Sequence, residues 1–135
     1  MKKIWLLWVV CFFTLLSCGK TVYQDGVYTG TSSPDDSGAY GEIRITISGG
    51  RISGCDFITI QKDGSIKGED YGKINGEISN VDFYNKAQLA VRAMEQYARD
   101  FVEKQALNKI DAVSGATIAH NQFTEAADNA LKTAK

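Results

Sequence analysis

The stretch EIRITISGGRISGCDFITI, Glu42 to Ile60, decides the fold because it alternates apolar and polar side chains along two successive segments. The isoleucines within residues 43–47 recur at every second position, which is the period of a strand that buries one face. Gly49 and Gly50 follow, and two glycines accept the positive φ angles of a tight hairpin turn. We therefore predict an antiparallel hairpin whose second strand runs from Ile52 to Ile60.

Three further features belong to the predicted sheet: one lies within the hairpin and two precede it. The alternation slips at residues 54–56, Gly-Cys-Asp, which predicts a β-bulge there. Upstream, residues 27–29, Val-Tyr-Thr, lie between two glycines and are typical of a short strand. Residues 32–38 contain the only proline of the chain and predict a surface loop. The N-terminal half of the domain is thus expected to form an antiparallel sheet.

Two helical patterns follow the strands. From Tyr84 to Leu107 apolar residues recur at spacings of three and four, and Asn108 and Lys109 are expected to end this helix. A second amphipathic helix is predicted after Thr117. The expected buried faces are Ala87, Ala90, Val91, Met94, Ala98, Phe101 and Val102 in the first helix, and Phe123, Ala126, Ala127, Ala130, Leu131 and Ala134 in the second. Strands followed by helices predict an α+β domain with both helices packed on one side of the sheet.

The middle block, residues 61–82, carries glycines at a spacing of four, at positions 64, 68, 72 and 76. It contains neither a G-x-G-x-x-G nor a Walker pattern, so no phosphate loop is indicated. Short turns with a small strand at residues 73–79 are the favoured interpretation. The alternative is a loop that covers a ligand.

The N-terminus has the pattern of a lipoprotein signal. Residues 1–3 are basic at two positions, residues 4–16 are almost unbroken apolar sequence, and Leu15-Leu16-Ser17-Cys18 resembles a lipobox. Cleavage before Cys18 would allow its acylation and would place the mature protein on a membrane, outside the cytoplasm. An uncleaved anchor or an ordinary secretory signal remains the alternative.

These patterns divide the chain into a signal peptide over residues 1–17, a tether over residues 18–24 and one domain over residues 25–135. The full chain has 15 basic and 16 acidic residues. Removal of Lys2 and Lys3 leaves 13 basic residues, so the net charge falls from −1 to about −3 and offers no basic field for nucleic acid.

The cysteines and the single histidine limit the chemistry of the domain. Loss of Cys11 with the signal peptide and acylation of Cys18 leave only Cys55, so no intramolecular disulfide framework is possible. One histidine and one free thiol, without EF-hand spacing of the acidic residues, predict no metal site.

The segment DAVSGAT, Asp111 to Thr117, presents a hydroxyl at the entrance of the second predicted helix. Ser114, Gly115 and Ala116 form a small turn before it, and the free N–H groups of such a helix start attract a phosphate. A simple capping turn is the alternative. At these residues the chain resembles the FMN-binding domain family, in which a flavin transferase links the phosphate of FMN to the threonine of an Asp-x-x-Ser-Gly-Ala-Thr motif.

The resemblance implies that Thr117 is the attachment point, that Ser114, Gly115 and Ala116 are the recognised turn, and that Asp111 is the acidic residue the transferase expects. It covers residues 23–134 loosely and is specific only at residues 111–117.

The chain departs from the family after the motif. Ile118-Ala119-His120 replaces hydroxyl residues that many members carry there, and His120 is either a substitute donor to the phosphate or flavin, or a solvated helix residue. The chain also lacks the Glu-Thr-Pro-Gly segment of subunits in sodium- and proton-linked quinone and ferredoxin oxidoreductases, which favours a stand-alone lipoprotein. Five tyrosines either stack on the flavin ring or cover sheet edges: Tyr23, Tyr28, Tyr40, Tyr71 and Tyr84.

Taken with the signal, the resemblance implies a membrane-tethered, extracytoplasmic electron carrier with FMN covalently bound to Thr117. Its expected partners are a flavin transferase, membrane redox proteins and, through Cys18, the bilayer. A non-redox binding or structural lipoprotein with an unmodified motif is the alternative, and an enzyme with its own substrate pocket comes third. A hydrolase triad of Asp111, Ser114 and His120 is disfavoured because no G-x-S-x-G elbow surrounds Ser114.

Overall fold

The computed structural model describes residues 22–135, in which three strands are followed by two helices. The elements are β1 (Gly26–Thr31), β2 (Tyr40–Ser48), β3 (Arg51–Ile60), α1 (Val81–Lys104) and α2 (Thr117–Lys132), with a short 3-10 turn (Leu107–Lys109) between the helices. This order confirms the predicted α+β class. The predicted signal peptide and Cys18 lie outside the described residues. Within residues 22–135, no helix combines the length and the apolar character needed to cross a bilayer.

The three strands form an antiparallel sheet in the order β1-β2-β3. The predicted hairpin turn is confirmed: Gly49 and Gly50 have φ angles of 62° and 71°, and the Asp25 carboxylate accepts hydrogen bonds from both of their N–H groups, at 3.0 and 2.9 Å. The predicted bulge is present but lies slightly earlier than expected. Gly54 pairs with Thr46 and Ile52 pairs with Ile47, so the residue between Ile52 and Gly54 is the extra one.

Both helices pack on one face of the sheet, and Phe123 of α2 lies at the centre of the core. Its ring centroid is 5.1 Å from that of Phe57, 5.8 Å from that of Tyr97 and 5.7 Å from that of Phe101. The predicted buried face of α2 is confirmed throughout. On α1 the prediction missed Ala93 and Tyr97, which are buried, and included three residues that are only half-buried: Ala90, Val91 and Val102.

The predicted ends of the first helix, Tyr84 and Leu107, were both wrong by three residues. Asn80 caps the start of α1 by accepting a hydrogen bond from the Phe83 N–H at 2.9 Å, so the helix begins earlier. At the other end Gln105 adopts the left-handed conformation, with φ 58°. Its side-chain amide also binds the backbone N–H and carbonyl of Ile52 at the sheet edge, which holds the chain away from the helix axis.

The middle block consists of turns and two isolated bridges, Ile60–Ile66 and Ile74–Glu77, which confirms the short turns. The small strand predicted at residues 73–79 is not formed, and only the Ile74–Glu77 bridge lies there. The amide Nε2 of Gln88 on α1 lies within 2.9–3.2 Å of the carbonyl oxygens of Gly68, Glu69 and Tyr71. Since the carbonyls accept from one fixed side chain, this part of the block is held against α1.

Candidate functional site

The turn before α2 requires a glycine at position 115. The Ala116 N–H donates to the Val113 carbonyl at 2.9 Å, and Gly115 inside this turn has φ 83°, a conformation that side chains rarely adopt. A Cβ at this position would also lie only 3.1 Å from Cδ2 of Leu89 on α1. The turn therefore packs against α1 and delivers the chain to a helix that begins at Thr117.

The start of α2 is open to solvent. Thr117 and Ile118 are exposed, the first turn contains no acidic residue, and no side chain among the described residues caps it. The first intrahelical bond runs from the His120 N–H to the Ala116 carbonyl, so the preceding N–H groups have no intrahelical acceptor. An FMN phosphoester on Thr117 would carry a negative charge, which a helix N-terminus stabilises by about 0.3–1 kcal/mol. These residues fit the phosphate of the cofactor that the motif implies.

The buried ring of Tyr97 and the half-buried ring of His120 lie against this turn. The Tyr97 hydroxyl accepts a hydrogen bond from the Val113 N–H at 2.9 Å and donates to the Ala116 carbonyl at 3.3 Å. His120 packs edge-on against the Tyr97 ring, with centroids 5.3 Å apart. Its Nε2 donates to the Ile110 carbonyl at 2.7 Å.

The hydrogen bond to Ile110 determines which nitrogen of His120 remains for a ligand. Because Nε2 carries the proton that binds Ile110, only Nδ1 is left to face a phosphate or flavin, and Nδ1 donates only when the ring is charged. The same contact also argues against the hydrolase triad that the sequence disfavours, since the His120 ring binds the Ile110 carbonyl and not Ser114. Ser114 and Asp111 are both exposed, so the turn is accessible from solvent.

A cleft of about 550 Å³ opens beside the start of α2. One wall is the face of α2 that carries Ile118, Asn121, Gln122 and Glu125, which recur at helical spacing. The loop of residues 33–37 forms a second wall. Lys67 and Tyr71 of the middle block, Thr59 of β3 and Met94 of α1 complete the lining. The volume lies within the range of about 300–1,000 Å³ typical of cofactor sites.

Two of the three most deeply buried lining residues are polar, and the third is Met94, which is 4% exposed. Gln122 is 5% exposed and Thr59 is 1% exposed. The Gln122 Nε2 donates to the Ala39 carbonyl at 2.8 Å, and its Oε1 accepts from the Thr59 hydroxyl at 3.3 Å. The Thr59 hydroxyl also lies 3.0 Å from the sulfur of Met94. The cleft therefore has a polar floor below a mixed rim.

Charges of both signs lie on the rim. Partial burial raises the pKa of Asp35, but its hydrogen bonds lower that pKa by more, so it lies below the ordinary value. The donors are the Ser37 hydroxyl and the N–H groups of Ala39 and Ser37, and the charge of Lys67 acts in the same direction. Lys67 in turn lies 5.0 Å from the centroid of the Tyr71 ring. The rim thus presents a fixed carboxylate, an ammonium group and an aromatic ring to the cleft.

Of the five tyrosines considered from the sequence, Tyr71 lines the cleft. Tyr23 and Tyr28 pack against the hydrophobic core instead, and the Tyr28 hydroxyl donates to the Gln24 carbonyl. Tyr84 is half-buried and its hydroxyl lies 3.3 Å from the Glu69 carbonyl, so it supports the loop that carries Tyr71. Tyr40 lies on β2 and is half-buried.

Most residues that line the cleft were not predicted from the sequence. Its lining comes from the loop before β2, from β3, from the middle block, from α1 and from α2, and nothing in the local pattern connects these segments. Gln122 was one available signal, because a long polar residue falls next to Phe123 on the face predicted to be buried.

Comparisons with known proteins identify the family of the chain. The chain belongs to the FMN-binding domain family, whose match spans residues 38–132. It is therefore a flavin-binding protein of that family, and FMN is the cofactor the family implies. No curated protein matches the chain.

Two solved structures resemble the chain. The CPE2226 protein from Clostridium perfringens is 26% identical, with a TM-score of 0.64 over 83% of this chain and 88% of that one. A Clostridium thermocellum protein solved by NMR is 28% identical, with a TM-score of 0.47 over 82% of this chain and 92% of that one.

Proposed function

We propose that this protein is an electron carrier that holds FMN covalently through a phosphoester on Thr117 and is tethered outside the cytoplasm by an acylated Cys18. One observation supports the proposal above others. An exposed threonine hydroxyl stands at an uncapped helix start, within the DAVSGAT motif, beside a cleft of cofactor size. The signal-like N-terminus supports the tether.

Attachment requires a transferase and an activated flavin. Condensation of free FMN with the Thr117 hydroxyl would release water and is unfavourable in water, so the donor is a phosphoanhydride of FMN. The Oγ–P bond forms as the anhydride P–O bond breaks, and the proton of Thr117 leaves with the displaced phosphate group. The exposure of Thr117 and Ser114 allows the transferase to reach both.

The helix places the cleft within reach of Thr117. Asn121 lies one turn after Thr117 on the same side, and the rise from Thr117 to Gln122 is about 7.5 Å along the axis. The ribityl chain can span such a distance and bring the ring over the cleft. When bound, FMN supplies reversible electron transfer, while Tyr71, Lys67 and the α2 face orient its ring and limit its contact with water.

The alternative is a binding or structural lipoprotein whose motif is never modified. It shares the fold and the cleft, so it differs only in the state of Thr117. The mass of the mature protein from its native host separates the two, because it reports acylation and flavin together.

The test of attachment is coexpression with a flavin transferase, followed by intact mass and flavin fluorescence after denaturing electrophoresis. Wild-type protein should gain one FMN, Thr117→Ala should gain none, and Thr117→Ser should be partly labelled. Thr29→Ala is the matched control, since Thr29 is an exposed threonine on β1. Flavin retained by Thr117→Ala would refute the attachment site.

The tether is tested by detergent phase partitioning of the native protein. Wild-type protein should enter the detergent phase and Cys18→Ser should remain in the aqueous phase. A wild-type protein without acyl chains would overturn this part of the proposal and leave the flavin site untouched.

The carrier role is tested by spectroelectrochemistry of the flavinylated protein, folded and unfolded. The folded protein should show a potential and a fluorescence that differ from those of free FMN, because the cleft shields one face of the ring. Values equal to those of free FMN, together with no electron exchange with host membrane oxidoreductases, would contradict an electron carrier even if Thr117 is modified.

A further inference from the structure

We propose that Gln122 recognises an imide group in the cleft, namely the C(=O)–N–H edge of the isoalloxazine ring, and that Thr59 positions its amide for this contact. The inference rests on the proposed flavin site and adds the groups that select the ring and its orientation. It follows from the hydrogen bonds of the cleft floor.

The amide of Gln122 is held in one orientation. The Ala39 carbonyl accepts only, so the Nε2 group must face it, at 2.8 Å. Oε1 then faces the Thr59 hydroxyl at 3.3 Å, and the single proton of that hydroxyl is shared with the Met94 sulfur, which lies 3.0 Å away. These two contacts come from opposite ends of the amide and from two different segments of the chain.

The held amide keeps one donor and one acceptor position for a ligand. The second hydrogen of Nε2 has only a long contact, 3.4 Å, to Oδ2 of Asp35, which itself lines the cleft. Oε1 has a second lone pair beyond the one that Thr59 uses. A ligand carbonyl that displaces the long Asp35 contact would accept from Nε2, and an imide pairs that carbonyl with an N–H that donates in parallel to Oε1. A ligand without the N–H satisfies only one position.

The surrounding packing keeps this pair at the cleft floor. A Cβ at Gly41 would lie 3.1 Å from Cβ of Gln122 and 2.7 Å from the Phe57 ring, so the glycine allows both side chains to approach β2 closely. Thr59, at 1% exposure, is too buried to contact much of a ligand itself. Its part is therefore to fix the Gln122 amide.

The experiment uses the full mature chain with Thr117→Ala, so that no flavin is attached. Lumiflavin and 3-methyllumiflavin are titrated into this protein, and binding is followed by quenching of their fluorescence. The two probes differ only in the imide N–H. We expect the methylated probe to bind about tenfold more weakly, because it leaves a buried acceptor unpaired and its methyl group meets the amide.

Variants at Gln122 and Thr59 distinguish a role in ligand recognition from a role in protein stability alone. Gln122→Leu should weaken lumiflavin binding and abolish the preference between the probes. Thr59→Val should reduce the preference, and Thr59→Ser should restore it, because serine keeps the hydroxyl. Thr46→Val, a half-buried threonine outside the cleft, is the matched control and should change nothing. Thr59→Val preserves side-chain volume, which keeps the test valid if Gln122→Leu does not fold.

Equal affinity of the parent protein for the two probes would overturn the inference. So would the absence of any lumiflavin binding up to its solubility, even if wild-type Thr117 is flavinylated normally. The two proposals can fail separately. If the Thr117→Ala protein clearly prefers lumiflavin but the wild-type protein is never flavinylated, the role of Gln122 is supported and the covalent attachment is refuted.

Discussion

The buried hydroxyl of Tyr97 in α1 accepts a hydrogen bond from the backbone N–H of Val113, 2.9 Å away, inside the DAVSGAT segment. The same hydroxyl donates to the Ala116 carbonyl at 3.3 Å, so one side chain holds both ends of the turn. Burial raises the pKa of Tyr97, while the Val113 bond opposes that shift. The hydroxyl therefore keeps its proton and its donor role at neutral pH, and the first helix fixes the geometry in which Thr117 is presented.

Replacement of Tyr97 by Phe is expected to destabilise the protein by about 1–3 kcal/mol, because the part-buried Val113 N–H loses its hydrogen-bond partner, while the Ala116 carbonyl keeps only the bond from the His120 N–H. Urea unfolding measures this change. The folded variant should also be flavinylated more slowly than wild type, since its turn is less constrained. Tyr40→Phe is the control, as Tyr40 is half-buried and makes no side-chain hydrogen bond among the described residues. Equal flavinylation rates for Tyr97→Phe and wild type would show that the clamp serves stability alone.

Gly30 allows α2 to contact β1 directly. A Cβ there would lie 2.2 Å from the Ala126 carbonyl oxygen and 2.6 Å from the Ala130 nitrogen, and backbone atoms cannot yield as a flexible side chain can. Gly30→Ala should therefore cost about 1–3 kcal/mol of unfolding free energy, or more. Gly68→Ala, where no atom lies within 4 Å of the added Cβ, is the matched substitution and should be nearly neutral. Similar midpoints for the two variants in urea would contradict this account of the helix–sheet contact.

Asp35 should contribute to stability in a pH-dependent way. Its pKa is lowered in the folded protein, so its contribution is complete above the unfolded value of about 3.9 and is lost as the pH falls through the lower folded value. Stability measured from pH 6 down to pH 2 should fall less steeply for Asp35→Ala than for wild type. Asp36→Ala serves as the control, because its exposed side chain makes no hydrogen bond among the described residues. Parallel curves for wild type and Asp35→Ala would exclude this role.

Cys55 should be unreactive in the native protein. Burial, with a smaller effect from the Asp56 carboxylate, raises the pKa of its thiol to about 12. Since the thiolate is the nucleophile, alkylation at pH 7 should be at least about a hundredfold slower in the native than in the urea-unfolded protein. Peptide mapping identifies the modified cysteine. Rapid native labelling of Cys55 would contradict the prediction.

The same raised pKa determines how stability responds to alkali. The folded protein holds the thiol proton more tightly, so the contribution of Cys55 is present below the unfolded pKa of about 8.5 and is lost as the pH rises from there. Above that pH, wild type should therefore lose stability relative to Cys55→Ala. A difference that is constant from pH 7 to pH 10 would rule out this linkage.

The local pattern of the chain determined the hairpin, the class of fold and the face of α2 that is buried. Alternation of period two and recurrence at three and four depend only on neighbouring residues, so the strands of residues 43–60 and the helix after Thr117 follow from them. The DAVSGAT motif likewise predicted a small turn before the helix, and the structure shows this turn, with a positive φ at Gly115. The lipobox at Cys18 stays a prediction, because it lies outside the described residues.

Tertiary structure alone decided where α1 ends and how the cleft is formed. Gln105 ends α1 because its side chain binds Ile52, a residue 53 positions earlier, and no local signal carries that contact. The cleft floor joins Thr59 to Gln122, which are 63 positions apart, so it exists only once α2 packs on the sheet. Short-range propensities describe how each segment folds by itself. A binding site depends on which segments meet, and packing of the core determines that.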